Sequence, residues 1–454
     1  MEAKEYVDIL IRNSRIAQKE FETYSQEKVD QAVRAIGKAV YDNSELLARL
    51  AVDETKMGFY EHKIVKNQAK SKAVWNKLKG VKSRGILRYI EEEGLVEVGK
   101  PIGVIGAVTP STNPTMTPMQ NAMIILKGGN SLIVCPHPSG KKSGKKTVDI
   151  MNAALAEIGA PKNLIQIIEE PTVEISKLVM ELTDVCISTG GPGMVKAAYS
   201  SGKPAFGVGP GNVQCLIDTD VDIKEVIPKL VKGRTYDLGV LCTCEQSAIC
   251  PASKYDAIID GLVKEGAYYV EKDEEIDALR KALFPNGNIN KICVGATPVN
   301  IAKLAGIVIP EDTKLLVVKV NAAGNEEFLS KEKMCPVLAA YSYNTWQEAV
   351  GIANTNLLNE GKGHSVVIHS NTKENIEYAA VILPVSRFAV NQVGSSGLGG
   401  AFTNGLNPTG TLGCGSWGNN SISENLWFNH LINISKISYE IPGKYVPTDE
   451  EIWN

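Results

Sequence analysis

The chain has 454 residues, a length that corresponds to roughly three domains of about 150 residues. Hydrophobic residues make up 44% of it and charged residues 22%, an ordinary globular composition that excludes a disordered, collagen-like or coiled-coil protein. The formal net charge is −3, so the chain lacks the overall positive field that attracts nucleic acid or an anionic membrane.

The cysteine pattern is typical of a reducing compartment. The nine cysteines are odd in number and scattered along the chain, which argues against a disulfide framework. The sequence MEAKEYVDIL at the N-terminus is acidic and lacks the apolar region of a signal peptide. No apolar run approaches the ~18 residues of a membrane span. We therefore expect a cytoplasmic protein with neither a membrane nor a nucleic acid as its partner.

The first 80 residues are predicted to be helical. Val29, Ala32, Val33, Ile36 and Val40 fall on one face of a 3.6-residue period. From residue 85 the pattern changes, and apolar residues flank the polar stretch 91–94, which predicts a β-hairpin over about 85–100. A projecting hairpin commonly pairs with another subunit, so we expect a homodimer or a higher homo-oligomer.

Residues 101–218 alternate short apolar runs with helical stretches, which predicts a parallel, doubly wound sheet. The apolar runs cover 103–108, 131–135, 164–168, 185–188 and 214–218. Residues from 235 repeat the theme, with runs near 246–250, 314–319, 337–342, 365–369 and 387–391. The fold class is therefore α/β, with two doubly wound domains and an oligomerisation hairpin.

The predicted division of the chain follows from these patterns. Residues 1–234 form the first domain and residues 235–425 the second, with a long loop region, rich in Gly, Ser, Thr and Asn, at 395–420. Residues 426–454 form a C-terminal segment that returns to the first domain or to an oligomer interface, with a final strand over 431–437.

Three segments contain candidate chemistry. Asn113 follows the first predicted strand in an Asn-Pro turn, which places a side-chain amide near a ligand or serves only the turn. The glycine-rich stretch 207–212 lacks the Lys-Ser/Thr of a phosphate loop, so it is either a site of close backbone approach or a tight connector.

The third segment, residues 236–246, contains Cys242 and Cys244. A cysteine flanked by glycine and polar residues at a domain boundary is a candidate nucleophile. A buried apolar thiol is the commonest alternative. A metal site has the weakest support, because a lone Cys-x-Cys lacks the second ligand pair that zinc requires.

Together, these segments resemble the aldehyde dehydrogenase superfamily, and specifically its CoA-acylating branch. Within that branch the chain is most similar to the CoA-dependent succinate-semialdehyde dehydrogenases. The resemblance covers nearly the whole chain and rests on residues 112–114 (TNP), 188–191 (STGG), 207–212 (GVGPGN), 242–246 (CTCEQ), 332–336 (EKMCP), 361–364 (GKGH), 384–387 (PVSR) and 412–417 (LGCGSW).

The resemblance implies catalytic roles for Cys242, Asn113 and His364. Cys242 would attack the aldehyde, Asn113 would stabilise the oxyanion, and His364 would orient or deprotonate the CoA thiol, with a structural histidine as the alternative. Hydrolytic members have a glutamate that activates water, and Gly207 occupies its position, 35 residues before Cys242. Without that base we expect a CoA thiolate, and not water, to release the acyl group.

The resemblance also implies a nicotinamide cofactor, NADP or NAD, with CoA as co-substrate. The stretch 135–142 has two lysines and no carboxylate, which tolerates and favours a 2′-phosphate, although a solvated lysine pair explains it equally well. Glu332 would hold the nicotinamide ribose or is simply a surface acid. The cofactor-binding candidates are Thr109, Pro110, His137, Ser139, Lys141, Thr189, Gly190, Gly191, Gly207, Glu332 and Pro336.

A succinate semialdehyde substrate carries a distal carboxylate that needs a cationic partner. Lys66 and Lys70 lie four residues apart on one face of a predicted helix, where a solvated charged face is the ordinary alternative. Lys70 is the favoured partner, and Arg387 and Thr243 are further substrate candidates. No metal is expected.

Overall fold

In a computed structural model, which describes residues 2–454, residues 3–78 contain four helices that precede every strand. The predicted apolar face of the second helix is fully buried. The helices are α1 Ala3–Phe21, α2 Gln26–Asp42, α3 Ser44–Thr55, α4 Tyr60–Leu78, α5 Met116–Lys127, α6 Lys141–Glu157, α7 Val173–Leu182, α8 Pro192–Tyr199, α9 Ile223–Thr235, α10 Tyr255–Lys264, α11 Asp273–Leu283, α12 Pro298–Ala305, α13 Trp346–Asn359, α14 Lys373–Ile382, α15 Gly394–Gly397 and α16 Asp449–Trp453.

The strands form two parallel sheets and one antiparallel sheet. They are β1 Gly85–Ile90, β2 Leu95–Pro101, β3 Val104–Thr109, β4 Ser131–Pro136, β5 Ile165–Ile167, β6 Val185–Ser188, β7 Ala205–Gly207, β8 Val213–Ile217, β9 Glu245–Pro251, β10 Ala267–Val270, β11 Leu315–Lys319, β12 Val337–Tyr343, β13 Val366–His369, β14 Phe388–Val390 and β15 Ile432–Ser438.

The first parallel sheet has the order β5-β4-β3-β6-β7. Its winding reverses between β3 and β6, which is where a doubly wound sheet binds its ligand, beyond the carboxyl ends of the strands. Thr109 ends β3, and Thr189 follows β6 directly. The sheet therefore brings these two predicted cofactor residues to the same edge.

The second parallel sheet has the order β10-β11-β12-β9-β8-β13-β14. The assignment of the run 214–218 to the first sheet is wrong, because β8 pairs with β9 and β13 instead. The chain changes sheets in residues 208–212, between β7 and β8. Hydrophobic periodicity identifies a strand and not its neighbours, so the pattern did not reveal this crossing. The domain boundary at residue 235 stays a prediction.

The predicted hairpin is present as β1 and β2, and the predicted final strand is β15. β15 pairs with β2 from Ile432–Pro101 to Ser438–Leu95, giving the sheet order β1-β2-β15. Within residues 2–454, the helices are too short or too polar to cross a bilayer.

Candidate active site

Cys242 is the most accessible thiol of the chain. All nine cysteines are free, and Cys242 is half-buried while the other eight are buried. Cys244, two residues away, is fully buried, and burial raises the pKa of its thiol to about 12. Because burial raises the pKa of both thiols, it is the difference in exposure that favours Cys242 as the thiol a substrate can reach and Cys244 as a core thiol.

A strained turn leads into the segment that contains Cys242. Asp237 and Leu238 have φ angles of 50° and 54°, and Gly239 follows at 69°. Two consecutive non-glycine residues in this region persist only where surrounding contacts hold them. The Phe59 N–H donates to Asp237 Oδ1 at 2.9 Å, and the Asp237 N–H donates to Nδ1 of His62 at 2.8 Å. The turn is thus fixed against helix α4 and the residue before it.

The surroundings of Cys242 keep its side chain a thiol. Burial raises its pKa well above the ordinary value, and the Glu332 carboxyl and the Cys414 thiol raise it further, while the Arg387 guanidinium opposes them. Burial also raises the pKa of Glu332 to about 7, with Glu360 adding to the effect. The structure therefore places a carboxyl that is partly protonated near neutral pH within electrostatic range of the predicted nucleophile.

Asn113 is held by a buried cluster of charges. Lys66 Nζ donates to Asn113 Oδ1 and also to Asp237 Oδ2 at 2.5 Å. Lys63 Nζ lies 3.1 Å from the same carboxylate oxygen. Lys63, Lys66 and Asp237 are buried, whereas Asn113 is half-buried and reaches solvent. The ion cluster therefore lies on the buried side of the Asn113 amide, and the amide itself lies between the cluster and solvent.

Gly207 has no room for a side chain. A Cβ at this position would lie 2.7 Å from Val195 Cγ1 and 2.9 Å from Tyr199 Cε2. The Gly207 N–H also donates to the Tyr199 hydroxyl at 2.8 Å. A glutamate at this position would have to displace both neighbours, so the position lacks a carboxylate and is also closed to one.

The glycine-rich stretch packs directly against the nucleophile. A Cβ at Gly211 would overlap the Cβ and the carbonyl of Cys242. The Gly209 N–H donates to Cys414 Sγ at 3.3 Å. Asn212 Nδ2 anchors the end of the stretch by donating to the carbonyls of Ser330 at 2.8 Å and Glu360 at 3.0 Å. The stretch is therefore both a tight connector between β7 and β8 and a place where the backbone approaches another segment closely, so both hypotheses apply.

His364 is fully buried, and neither ring nitrogen has a hydrogen-bond partner within residues 2–454. Burial and the nearby Arg387 guanidinium lower its pKa to about 3, so the imidazole is neutral at physiological pH. A satisfied structural histidine would have the hydrogen bonds that this ring lacks. Arg387 Nη1 donates to the His364 carbonyl at 2.9 Å and its Nη2 donates to the Gly413 carbonyl.

The edge of the first sheet has unpaired polar groups that suit a dinucleotide. Among the described residues, the hydroxyls of Thr109 and Ser188 are buried without hydrogen-bond partners. Thr189 Oγ1 lies 2.7 Å from Thr411 Oγ1, which connects the end of β6 to the loop region between α15 and β15. A Cβ at Gly191 would meet open space at the start of α8, so a ligand can approach the backbone closely there. Pro110 is half-buried at the same edge.

The predicted adenosine side of the cleft is more acidic than its local sequence indicates. Lys141 Nζ pairs with Glu170, and the Glu54 carboxylate accepts the N–H groups of Lys142 at 2.8 Å and Ser143 at 2.7 Å. These carboxylates come from elsewhere in the chain. His137 Nδ1 accepts the Ser139 N–H at 3.1 Å, which forms the turn before α6.

The substrate candidates cluster around Cys242. Lys70 lies within electrostatic range of Cys242, and burial lowers the pKa of the Lys70 ammonium group to about 8. Its ammonium donates to the carbonyls of Gly399 at 2.9 Å and Thr409 at 3.2 Å. Thr243 is buried and donates to the Ser395 carbonyl at 3.3 Å. Pro336 is buried at the entry to β12, and its carbonyl accepts the Leu316 N–H.

The model of the aldehyde dehydrogenase family matches residues 1–277. Succinate-semialdehyde dehydrogenase (acetylating) from Clostridium kluyveri is 52% identical over 444 residues, which are 98% of each chain. The chain belongs to the aldehyde dehydrogenase family. Both the resemblance stated from the motifs and the α/β fold class are confirmed, and membership makes the chain an oxidoreductase that acts on aldehydes.

Solved structures of this family agree with that assignment. An acetylating aldehyde dehydrogenase from Geobacillus thermoglucosidasius superposes with a TM-score of 0.94, at 37% identity and over 98% of each chain. The propionaldehyde dehydrogenase of Rhodopseudomonas palustris, solved with bound CoA and an acylated cysteine, gives a TM-score of 0.86 at 27% identity, over 95% of this chain and 96% of that one.

Sequence reasoning missed several residues of this aldehyde dehydrogenase site. Tyr199 and Val195 close the position of Gly207, and Asp237 links Lys66 to the turn before Cys242. The available signal was on α4, where Lys63, Lys66 and Lys70 recur at helical spacing beside buried polar residues. The solvated-face alternative for this pair is wrong for Lys66, which is buried and paired.

Proposed function

We propose that the protein is a CoA-acylating aldehyde dehydrogenase that interconverts succinyl-CoA and succinate semialdehyde with NADP or NAD. The observation that carries the proposal is the pairing of an accessible Cys242 with a Gly207 position that Tyr199 and Val195 close to any carboxylate. The similarity to the Clostridium kluyveri enzyme supports the substrate.

In the oxidative direction, Cys242 Sγ gives its proton to solvent and attacks the aldehyde carbon. The aldehyde oxygen becomes an oxyanion, which the Asn113 amide stabilises by donating a hydrogen bond. Glu332, whose pKa burial raises to about 7, is the titratable carboxyl within electrostatic range of that thiol. Loss of hydride from the tetrahedral carbon leaves a thioester on Cys242.

The sheet edge fits the nicotinamide cofactor. The free hydroxyl of Thr109, the open backbone at Gly190 and Gly191, and Thr189 would hold its phosphates and riboses, with Glu332 near the reacting end. Bound NAD(P)⁺ supplies the hydride acceptor. His137, Ser139 and Lys141 would line the adenosine side, where the pairing of Lys141 with Glu170 weakens its attraction for a 2′-phosphate.

The acyl group leaves Cys242 by thiolysis. Water attack needs a general base, which typically contributes about 10²–10⁴-fold, and position 207 cannot hold one. The CoA thiol replaces water, and its sulfur takes the acyl group as Cys242 regains a proton. The neutral ring of His364, with both nitrogens unpaired among the described residues, is available to orient that thiol through a hydrogen bond, since a pKa of about 3 makes the ring a weak base.

The distal carboxylate of the substrate is assigned to Lys70. Two of its three N–H donors reach the carbonyls of Gly399 and Thr409, which leaves one for a ligand near Cys242. Thr243 and Arg387 are secondary candidates. Backbone carbonyls already accept hydrogen bonds from the side chains of Lys70 and Arg387. A second candidate function is therefore the CoA-acylating oxidation of uncharged aldehydes such as acetaldehyde, propionaldehyde or butyraldehyde.

The assembly and location belong to the same proposal. One face of the sheet β1-β2-β15 exposes Ile86, Tyr89 and Ile437, an apolar surface that suits a homodimer or a higher homo-oligomer. The nine free thiols suit the cytoplasm. The proposed division is residues 1–234 for the cofactor, 235–425 for catalysis and 426–454 for the returning segment.

A CoA-dependence assay tests the proposal. With succinate semialdehyde and NADP⁺ or NAD⁺, reduced cofactor should form only with CoA and in a one-to-one ratio with acyl-CoA. Free succinate as the main product would instead identify a hydrolytic dehydrogenase. A panel of acetyl-, butyryl-, succinyl- and 4-hydroxybutyryl-CoA then assigns the acyl chain through kcat/KM. Inactivity with every aldehyde and acyl-CoA would overturn the proposal.

A further inference from the structure

Asn113 is oriented by a contact on one side of its amide only. Lys66 Nζ donates to Oδ1, and an ammonium group can only donate, so this contact fixes which end of the amide is oxygen. The Nδ2 end has a single long contact, to Thr112 Oγ1 at 3.5 Å. The two N–H donors of Asn113 are therefore turned away from Lys66 and are available to another group.

The buried cluster behind Asn113 has more cations than anions. Lys63 and Lys66 share the one carboxylate of Asp237, at 3.1 Å and 2.5 Å. Burial opposes ionisation of Asp237, but the two ammonium groups together lower its pKa below the ordinary value. Burial and the neighbouring Lys66 lower the pKa of Lys63 to about 8. The cluster therefore presents a net positive charge behind the amide below that pH.

The same cluster joins Asn113 to the nucleophile. Asp237 lies five residues before Cys242, in the left-handed turn that precedes the nucleophile. Residues 236–239 form a single 3-10 turn in which Asp237 and Leu238 have non-helical backbone angles, so the contacts of Asp237 with Lys66, Phe59 and His62 help to hold it. The sulfur that attacks the aldehyde carbon and the amide that donates to the aldehyde oxygen are thus connected through Lys66 and Asp237.

We propose that Lys66, anchored by Asp237, is a positioning residue that turns the Asn113 amide so that its N–H groups face the oxyanion formed at Cys242. This inference rests on the proposed function. Loss of the contact between Lys66 and Asn113 should lower kcat and leave the affinity for the aldehyde nearly unchanged, because an oxyanion exists in the transition state and not in the bound aldehyde. Lys66 itself touches Asn113 and Asp237 and is not assigned to the substrate.

A double-mutant cycle tests the proposal. Lys66→Met should lower kcat and kcat/KM together by about 10- to 100-fold with KM little changed, as for the loss of a charged hydrogen bond that aligns a reacting group. In an Asn113→Ala background, Lys66→Met should cost less than about twofold, because the amide that it orients is gone. Lys66→Arg should recover part of the loss. Lys72→Met, an exposed lysine of the same helix, is the matched control and should behave as wild type.

Alkylation separates positioning from a damaged fold. Iodoacetamide reacts with Cys242 by direct displacement, which forms no oxyanion, so Lys66→Met should leave its rate within about twofold. Asp237→Asn should resemble Lys66→Met in turnover, and Lys66→Gln provides a second variant if the methionine disturbs folding. The inference would be overturned if Lys66→Met lowered kcat equally with Asn113 present and with Asn113→Ala. It would also be overturned if Lys66→Met slowed alkylation of Cys242 as much as it slowed turnover. Wild-type protein that turns over no aldehyde would overturn the proposed function instead.

Discussion

The Tyr199 hydroxyl accepts the N–H of Gly207 at 2.8 Å, and its ring occupies the space that a side chain at Gly207 would need. This contact connects sequence to reaction type. A glycine alone is compatible with either hydrolysis or thiolysis, but a glycine closed by packed neighbours cannot position a carboxylate or the water that it would activate.

Gly207→Glu should therefore fail to create a hydrolase. Its Cβ would lie within 3 Å of Val195 and Tyr199, and overpacking of this kind typically costs about 1–3 kcal/mol in the free energy of unfolding. The combined variant Gly207→Glu/Tyr199→Ala should release more free acid than either single variant. Thermal unfolding and acid release check both statements, with Tyr199→Phe as the control that keeps the ring. Efficient hydrolysis by Gly207→Glu alone would contradict the packing argument.

Cys242→Ala should abolish turnover, since loss of a covalent nucleophile typically costs several orders of magnitude. Cys244→Ala should retain most activity, because that thiol is buried in the core. Steady-state kinetics on both variants, with melting temperatures as the folding control, decide the matter. A reversed outcome would mean that the nucleophile is misplaced.

The affinity for succinyl-CoA should depend on pH through Lys70. Burial lowers its pKa to about 8, so the ammonium is charged below that pH and becomes neutral above it. KM for succinyl-CoA should be about twice its low-pH plateau at pH 8 and about ten times that plateau at pH 9, whereas KM for butyryl-CoA should stay flat. Lys70→Arg should move the rise to higher pH and Lys70→Met should remove it. Equal pH profiles for the two esters would exclude Lys70 as the carboxylate partner.

His364→Gln should impair thiolysis and spare hydride transfer. Its imidazole is neutral at physiological pH, because burial and Arg387 lower its pKa to about 3, so no histidine inflection near pH 6.5 is expected. Steady-state turnover should fall by about 100-fold, while the first burst of reduced cofactor keeps its rate. Stopped-flow absorbance resolves the two phases. A burst slowed as much as turnover would place His364 in the first half-reaction.

Local sequence predicted the positions of the strands along the chain better than the order of the strands within the sheets. The alternation of apolar and helical stretches located β3, β4 and β6 to within a residue or two, because parallel strands buried on both faces are continuously apolar. It placed β8 in the wrong sheet, since strand order depends on contacts distant in sequence.

The candidate site shows the same limit. Cys242 and Asn113 stand in recognisable motifs, whereas Asp237 and Glu54 act through contacts with residues far away along the chain. The contact between Lys66 and Asp237 spans 171 residues, and no local pattern pairs them. The sequence did contain one indication of this cluster, the lysines of α4 at helical spacing, because a lysine on a helix face that packs inward requires a partner.

The fate of the acyl group on Cys242 tests the account most directly. Enzyme is mixed with succinate semialdehyde and oxidised cofactor without CoA, and intact-mass and peptide mass spectrometry follow the adduct over time. The account predicts a stable succinyl thioester on Cys242 that disappears as succinyl-CoA when CoA is added. Rapid loss of the adduct as free succinate without any thiol acceptor, or an acyl label on another side chain, would contradict it.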